Sequence, residues 1–160
     1  MAKEIERKFI VLNGDWKYEQ WASKGAKIQQ GYLSKTPKHV VRVRTYEQNG
    51  ESTAFLTVKG KRVGMSRAEY EYEIPFNEGK ALIKLCDGAI VRKTRYEVIV
   101  DKVKWEVDVF AGLNRGFTMA EVELQSARQK IMIPKWAGQE VTYDNRFSNT
   151  YLATHKAPFR

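Results

Sequence analysis

Charged residues recur at every second position in six short stretches, most of them carrying a single sign. The stretches are Glu4-x-Glu6-x-Lys8, Arg42-x-Arg44, Glu69-x-Glu71-x-Glu73, Lys93-x-Arg95, Glu106-x-Asp108 and Glu121-x-Glu123, and Lys59 adds a lone cation after Thr57. A period of two places these side chains on one face of a β-strand, not of a helix. If the strands curl into one sheet, acids and bases from distant parts of the chain converge on a single concave surface.

Strands are expected at about 3–11, 29–34, 39–47, 53–59, 66–75, 89–100, 103–109 and 117–125, separated by turn signals such as Asn49-Gly50, Gly60, Gly64, Gly112 and Gly116. Short connections favour antiparallel neighbours. Helices are expected at about 15–24, 77–87 and 145–155. Asn77 caps the second, and Ala81, Leu82 and Leu85 form its apolar stripe before Gly88. Opposite the charges lie Ile5 and Phe9, Val41 and Val43, Leu56 and Val58, Tyr70 and Tyr72, Trp105 and Val107, and Val122 and Leu124. Ordinary small barrels fill their interior with apolar side chains. Here the pattern is inverted: a polar lining inside, and an apolar outer face for helices to cover. The class is α+β.

The 160 residues suit one domain spanning 1–160, and 42% hydrophobic with 12% aromatic content supports a packed core. No run approaches the roughly 20 apolar residues of a membrane span, and the first residues have no apolar signal region. A cytoplasmic protein is expected. Cys86 is the only cysteine, which excludes an internal disulfide or a thiolate metal cluster. The formal charge of +9 attracts anions without specifying which.

The sorting by sign is more informative. Two like charges about 4 Å apart repel by about 4 kcal/mol at an effective dielectric of ~20, so strands that group one sign lose stability unless a partner neutralises them. A solvated charged sheet face is the plain alternative, and it ordinarily intersperses signs. Carboxylates grouped without His or Cys are oxygen ligands for hard cations such as Mg2+ or Mn2+. Grouped Lys and Arg suit phosphate oxygens. Together they describe a metal–phosphate complex, and the six cations Lys8, Arg42, Arg44, Lys59, Lys93 and Arg95 match a chain of several phosphates.

The N-terminal Glu4-Ile-Glu6-Arg-Lys8-Phe resembles the Glu-x-Glu-x-Lys signature of the CYTH superfamily, the triphosphate tunnel metalloenzymes. The resemblance continues in order through Gly31-Tyr32-Leu33, Val41-Arg42-Val43-Arg44, Leu56-Thr57-Val58-Lys59-Gly60 and Ser66-Arg67-Ala68-Glu69-Tyr70-Glu71. It extends through Arg92-Lys93-Thr94-Arg95-Tyr96, Glu106-Val107-Asp108-Val109-Phe110, Ala120-Glu121-Val122-Glu123 and Asp144-Asn145-Arg146-Phe147. It implies an eight-stranded antiparallel β-barrel tunnel with a charged interior, holding a triphosphate and one or two divalent metals. By that resemblance Lys8, Arg42, Arg44, Lys59, Lys93, Arg95 and Arg146 bind phosphates. Glu4, Glu6, Asp108, Glu121 and Glu123 face metal, Glu69 and Glu71 match an acidic pair, and Tyr32 lies near the site.

The implied reaction is metal-assisted hydrolysis of a phosphoanhydride, with Glu4, Glu6 and Lys8 at its centre and positioning plus charge neutralisation supplying most of the catalysis. The chain looks most like bacterial inorganic triphosphatases. ATP or another nucleoside triphosphate, thiamine triphosphate and a 5′-triphosphate RNA end share the recognised element; otherwise no nucleic acid or membrane partner is expected. An adenylate cyclase making cyclic AMP is the alternative chemistry, and a non-catalytic polyphosphate or RNA binder the alternative class. A homodimer is allowed. Gly79-Lys80 lacks the earlier glycine of a P-loop, His39 and His155 are isolated, and Cys86, Trp16, Trp21, Trp105 and Trp136 read as packing residues.

Overall fold

The alternating stretches are strands, and they close on one another. A computed structural model describes residues 2–19 and 23–158. Its strands are β1 (Ala2–Val11), β2 (Ala26–Lys35), β3 (His39–Gln48), β4 (Glu51–Gly60), β5 (Ser66–Ile74), β6 (Asp87–Val100), β7 (Val103–Phe110), β8 (Thr118–Glu123) and β9 (Ala137–Glu140). Helix α1 (Phe76–Leu85) joins β5 to β6, and α2 (Asn149–Leu152) follows β9. The order β5-β4-β3-β2-β6-β7-β8-β1 is antiparallel at each step, and a pairing of β1 with β5 closes eight strands into a barrel. Closure removes the exposed sheet edges that an open sheet of this size would present.

Turn chemistry explains the sharp reversals. Asn49 and Gly50 both have positive φ (52° and 77°), as a two-residue hairpin turn of matching twist requires. Directly paired residues share a face. The register sets Arg42 beside Thr57 and Thr57 beside Glu71, Arg44 beside Gln30, Lys8 beside Glu121, and Arg95 beside Asp108.

The inversion is real in the middle of the barrel but stops at one end. Val91 precedes Lys93 by two positions, Phe110 follows Asp108 by two and Met119 precedes Glu121 by two, so all three share the charged face. They pack with Tyr32, Phe117, Val141, Phe147, Leu152 and Ala153 into one apolar cluster. The C-terminal segment therefore seats on the end where β1, β2 and β7 finish and β3, β6 and β8 begin.

Outside, coverage differs from the expected helical coat. The outer face of β1, β6, β7 and β8 packs Phe9, Val98, Trp105, Val107 and Val122 under Trp16 and Trp136, which come from a 3-10 turn (Asp15–Tyr18) and an irregular segment. Phe9 and Trp136 flank the Trp105 ring at 5.4 and 5.6 Å. Only β2–β4 carry α1, which approaches so closely that a Cβ on Gly79 would lie 2.4 Å from that of Ala54. On β5 the outer Tyr70 and Tyr72 stay 42% and 59% exposed.

Three helical expectations change. Of 15–24 only Asp15–Tyr18 is helical, as a 3-10 turn; 20–22, with Trp21, lie outside the described residues. Helix α1 starts one residue earlier than predicted, with Pro75 and not Asn77 at the cap position, because proline's fixed φ suits the approach to a helix. The expected 145–155 helix is broken at Ser148, which is extended and uses its hydroxyl to accept from the Tyr151 amide, starting α2 afresh after a 3-10 turn (Asn145–Phe147). Strand β9 had no alternating signal; it forms because the edge of β1 at Phe9–Val11 is open to it.

Candidate active site

All eight barrel strands contribute to one cavity of about 580 Å³, within the range of ligand sites. Glu4, Glu6 and Lys8 come from β1, Tyr32 from β2, Arg42 and Arg44 from β3, Lys59 from β4, and Arg67, Glu69 and Glu71 from β5. Arg95, Glu106 and the pair Glu121 and Glu123 complete it from β6, β7 and β8. Nine Lys and Arg side chains face eight Glu and Asp, so the lining is close to neutral and most of the +9 lies elsewhere.

The ions are held in short networks. Lys59 Nζ donates to Glu4 Oε1 at 2.8 Å and lies 3.4 Å from Glu69. Lys8 Nζ is 3.5 Å from Glu6. Burial opposes the Lys8 charge, but Glu6 and Glu121 outweigh it and raise its pKa. Arg44 is fixed from two sides: its Nε donates to Gln30 Oε1 at 2.8 Å and its Nη1 to the Tyr46 hydroxyl at 2.9 Å. Gln30 Nε2 in turn donates to the Tyr32 hydroxyl at 2.9 Å, which gives Tyr32 a role as a brace behind Arg44. Arg42 Nη2 donates to Thr57 at 3.2 Å, yet burial and the neighbouring Arg44 pull its pKa down. Burial, then crowding by Glu4, Glu69 and Glu106, pushes the Glu123 carboxyl up.

Among the described residues four buried ionic atoms have no hydrogen-bond partner: Glu4 Oε2, Glu121 Oε1, Arg42 Nε and Arg67 Nε. Their residues all line this cavity. Glu4 Oε2 and Arg67 Nε face each other at 3.9 Å, too far for a hydrogen bond; acceptors and donors left without hydrogen bonds in one cavity, costly to bury so, suit a cation and an anion together. Among the described residues no three carboxylates are preassembled around one point. The all-oxygen donor set nonetheless fits a hard divalent cation, because Glu4 and Glu121 each keep a buried oxygen that accepts no hydrogen bond.

Not every expected residue reaches the cavity. Asp108 is buried and doubly engaged: Arg95 donates Nε and Nη2 to its two oxygens at 2.7 and 2.9 Å, and Lys93 lies 2.7 Å away. These cations hold the Asp108 carboxyl well below the usual carboxylate range despite burial. Lys93, on the same inner face, is buried and donates to Asn149 Oδ1 at 3.0 Å; it does not itself line the cavity. Arg146 is not in the lining itself; half exposed, it grips Asp144 of the cavity rim through Nε and Nη2 at 2.9 and 2.7 Å. Conversely, Arg62, Arg67, Tyr46, Thr142 and Asn149 line the cavity without having been predicted to. Arg67 was detectable, since it continues the Glu69-x-Glu71 alternation with opposite sign. Arg62 sits in a turn, where no period exists to read.

The CYTH domain, as a family, matches residues 2–155. The chain belongs to the CYTH family. Among its CYTH relatives, a protein of Acetivibrio thermocellus named inorganic triphosphatase is 42% identical over all of this chain and 97% of its own length. Another inorganic triphosphatase, from Nitrosomonas europaea, is 37% identical over 94% of this chain and 96% of its own. The crystal structure of the inorganic triphosphatase NE1496 superposes with a TM-score of 0.67 at 32% identity, covering 97% of each chain. A Pyrococcus horikoshii protein, PH1819, has a similar fold at 23% identity and a TM-score of 0.61, covering 78% of this chain and 80% of its own.

Proposed function

We propose that this CYTH protein hydrolyses inorganic triphosphate inside its barrel, with Mg2+ or Mn2+ as the metal. The observation that carries the reading is the set of buried ionic atoms without a hydrogen bond in one cavity, oxygens of Glu4 and Glu121 and nitrogens of Arg42 and Arg67. Its relatives at 42% and 37% identity are named for the same activity.

Glu4, Glu6, Glu121 and Glu123 hold the cation, with Glu69 beside them; when bound, it supplies Lewis acidity and charge neutralisation toward phosphate oxygens. Arg42, Arg44 and Arg95 grip the phosphates along the opposite wall, and Lys8 and Lys59 lie between the two sets. Arg44 is already oriented by Gln30 and Tyr46, so little ordering is needed when the anion arrives. Glu71 and Thr57 steady Arg42: Thr57 donates to Glu71 at 2.8 Å and accepts from Arg42. Asp108 works through Arg95 and Lys93, as a counterion that keeps both in place. Arg146 joins only by releasing Asp144.

Purified protein incubated with triphosphate, ATP, thiamine triphosphate or pyrophosphate, with Mg2+ or Mn2+, tests the reading when products are identified by phosphorus NMR. Orthophosphate and pyrophosphate from triphosphate are the expected products. Cyclic AMP from ATP would replace hydrolysis with cyclisation, and no product from any substrate would make the chain a binder.

A further inference from the structure

We infer that Arg62 is an exchangeable counterion, which occupies Glu6 in place of the metal in the resting site and transfers to the phosphate chain when the metal arrives. The inference rests on the proposed metal–triphosphate site and adds a residue that the strand pattern does not reveal.

Four cations crowd the Glu4–Glu6 end of the cavity. Lys59 takes one oxygen of Glu4, Arg67 stands 3.9 Å from the other, Lys8 is 3.5 Å from Glu6, and Arg62 Nη2 donates to the same Glu6 oxygen at 3.3 Å. Three of the four are carried by strands. Arg62 is in the turn between β4 and β5, where Gly64 has φ +63° and a Val63–Ser66 bridge is the pairing on hand. Its other anchor is a 3.2 Å bond from Nη1 to the Met65 carbonyl, within the same turn. A divalent ion at Glu6 would meet the guanidinium at contact range, and like charges at that distance repel strongly in a partly buried site. Arg62 is the cation freest to leave. Once displaced, its planar set of donors is suited to phosphate oxygens in the same cavity.

Exchange of this kind couples the two ligands: the metal alone must displace Arg62 without compensation, whereas metal with triphosphate gives the freed guanidinium a partner. The test titrates Mn2+ alone into wild type, Arg62→Gln and Arg62→Lys, counting free Mn2+ by electron paramagnetic resonance, and repeats it with the non-hydrolysed imidotriphosphate. Arg62→Gln is expected to bind Mn2+ alone about tenfold more tightly, as removal of a competing partly buried charge implies, with Arg62→Lys near wild type. With Mn2+ present, Arg62→Gln should bind imidotriphosphate about tenfold more weakly. Equal Mn2+ affinity in all three proteins overturns the exchange, as does tightening in Arg62→Lys, which would report a loosened turn. Absence of Mn2+ binding by wild type and Arg62→Gln alike overturns it too. Because no step is turnover, failure of hydrolysis itself is a separate result read from the phosphorus NMR assay.

Discussion

Glu4 Oε2 and Arg42 Nε both lack a hydrogen bond, but the proposed site assigns one to the cation and the other to the phosphates, so their loss should be felt differently. Glu4→Gln keeps the shape and removes the charge a cation needs, so turnover should fall by about 100-fold or more while imidotriphosphate still binds. Arg42→Ala should raise KM more than it lowers kcat, measured by steady-state release of phosphate. Lys93 offers a pH readout. Burial, with Arg95 and Arg44 adding repulsion against the pull of Asp108, pushes its pKa down to about 7. A polyanion gripped by Arg95 and Arg44 cancels that repulsion and raises the Lys93 pKa. Binding should therefore take up a proton above about pH 7 and none well below it, where the amine is already charged. Calorimetry in two buffers of different ionisation enthalpy measures the uptake. At this scale much of the site was legible, because a strict period of two commits a residue to one face. Lys93 and Asp108 show the limit: the period put them on the inner face but could not show that they would pair with each other and stay out of the cavity lining.

At the level of elements, the C-terminal segment is tied down by one side chain. Asn114 donates Nδ2 to the carbonyls of Leu152 and His155 at 2.8 and 3.0 Å and accepts from the Ala157 amide at 2.7 Å. Asn114→Ala should cost about 2–3 kcal/mol through these buried bonds, and hydrogen exchange should quicken first at residues 149–157. On the opposite side, Gly79→Ala sets a methyl against Ala54. The overpacking should outweigh the roughly 1 kcal/mol of helix propensity gained, so urea denaturation should show a loss of about 1–2 kcal/mol. Strand β2, which has no alternating charges, was expected only from 29–34 and runs Ala26–Lys35, whereas six of the eight barrel strands were readable from theirs. The broken helix after Phe147 was not, since Ser148 decides its restart by a local hydroxyl bond. Nor was β9, which borrows its shape from a neighbour.

Taken whole, the molecule carries its surplus charge outside a nearly neutral cavity, so the positive field acts on approach more than on the bound state. Raising ionic strength from about 20 to 500 mM should lower kcat/KM for triphosphate by roughly three- to tenfold and leave kcat nearly constant. The ladder connecting the first strand gives this architecture a timing. Ala2–Ile5 pair with residues 66–69, Glu6–Ile10 with 119–123, and Phe9–Val11 with 137–140. During synthesis the Glu4 end of this strand gains its β5 partner once residues 66–69 are made, whereas Glu6 and Lys8 wait for β8, and no nascent fragment short of that length can close the barrel around them.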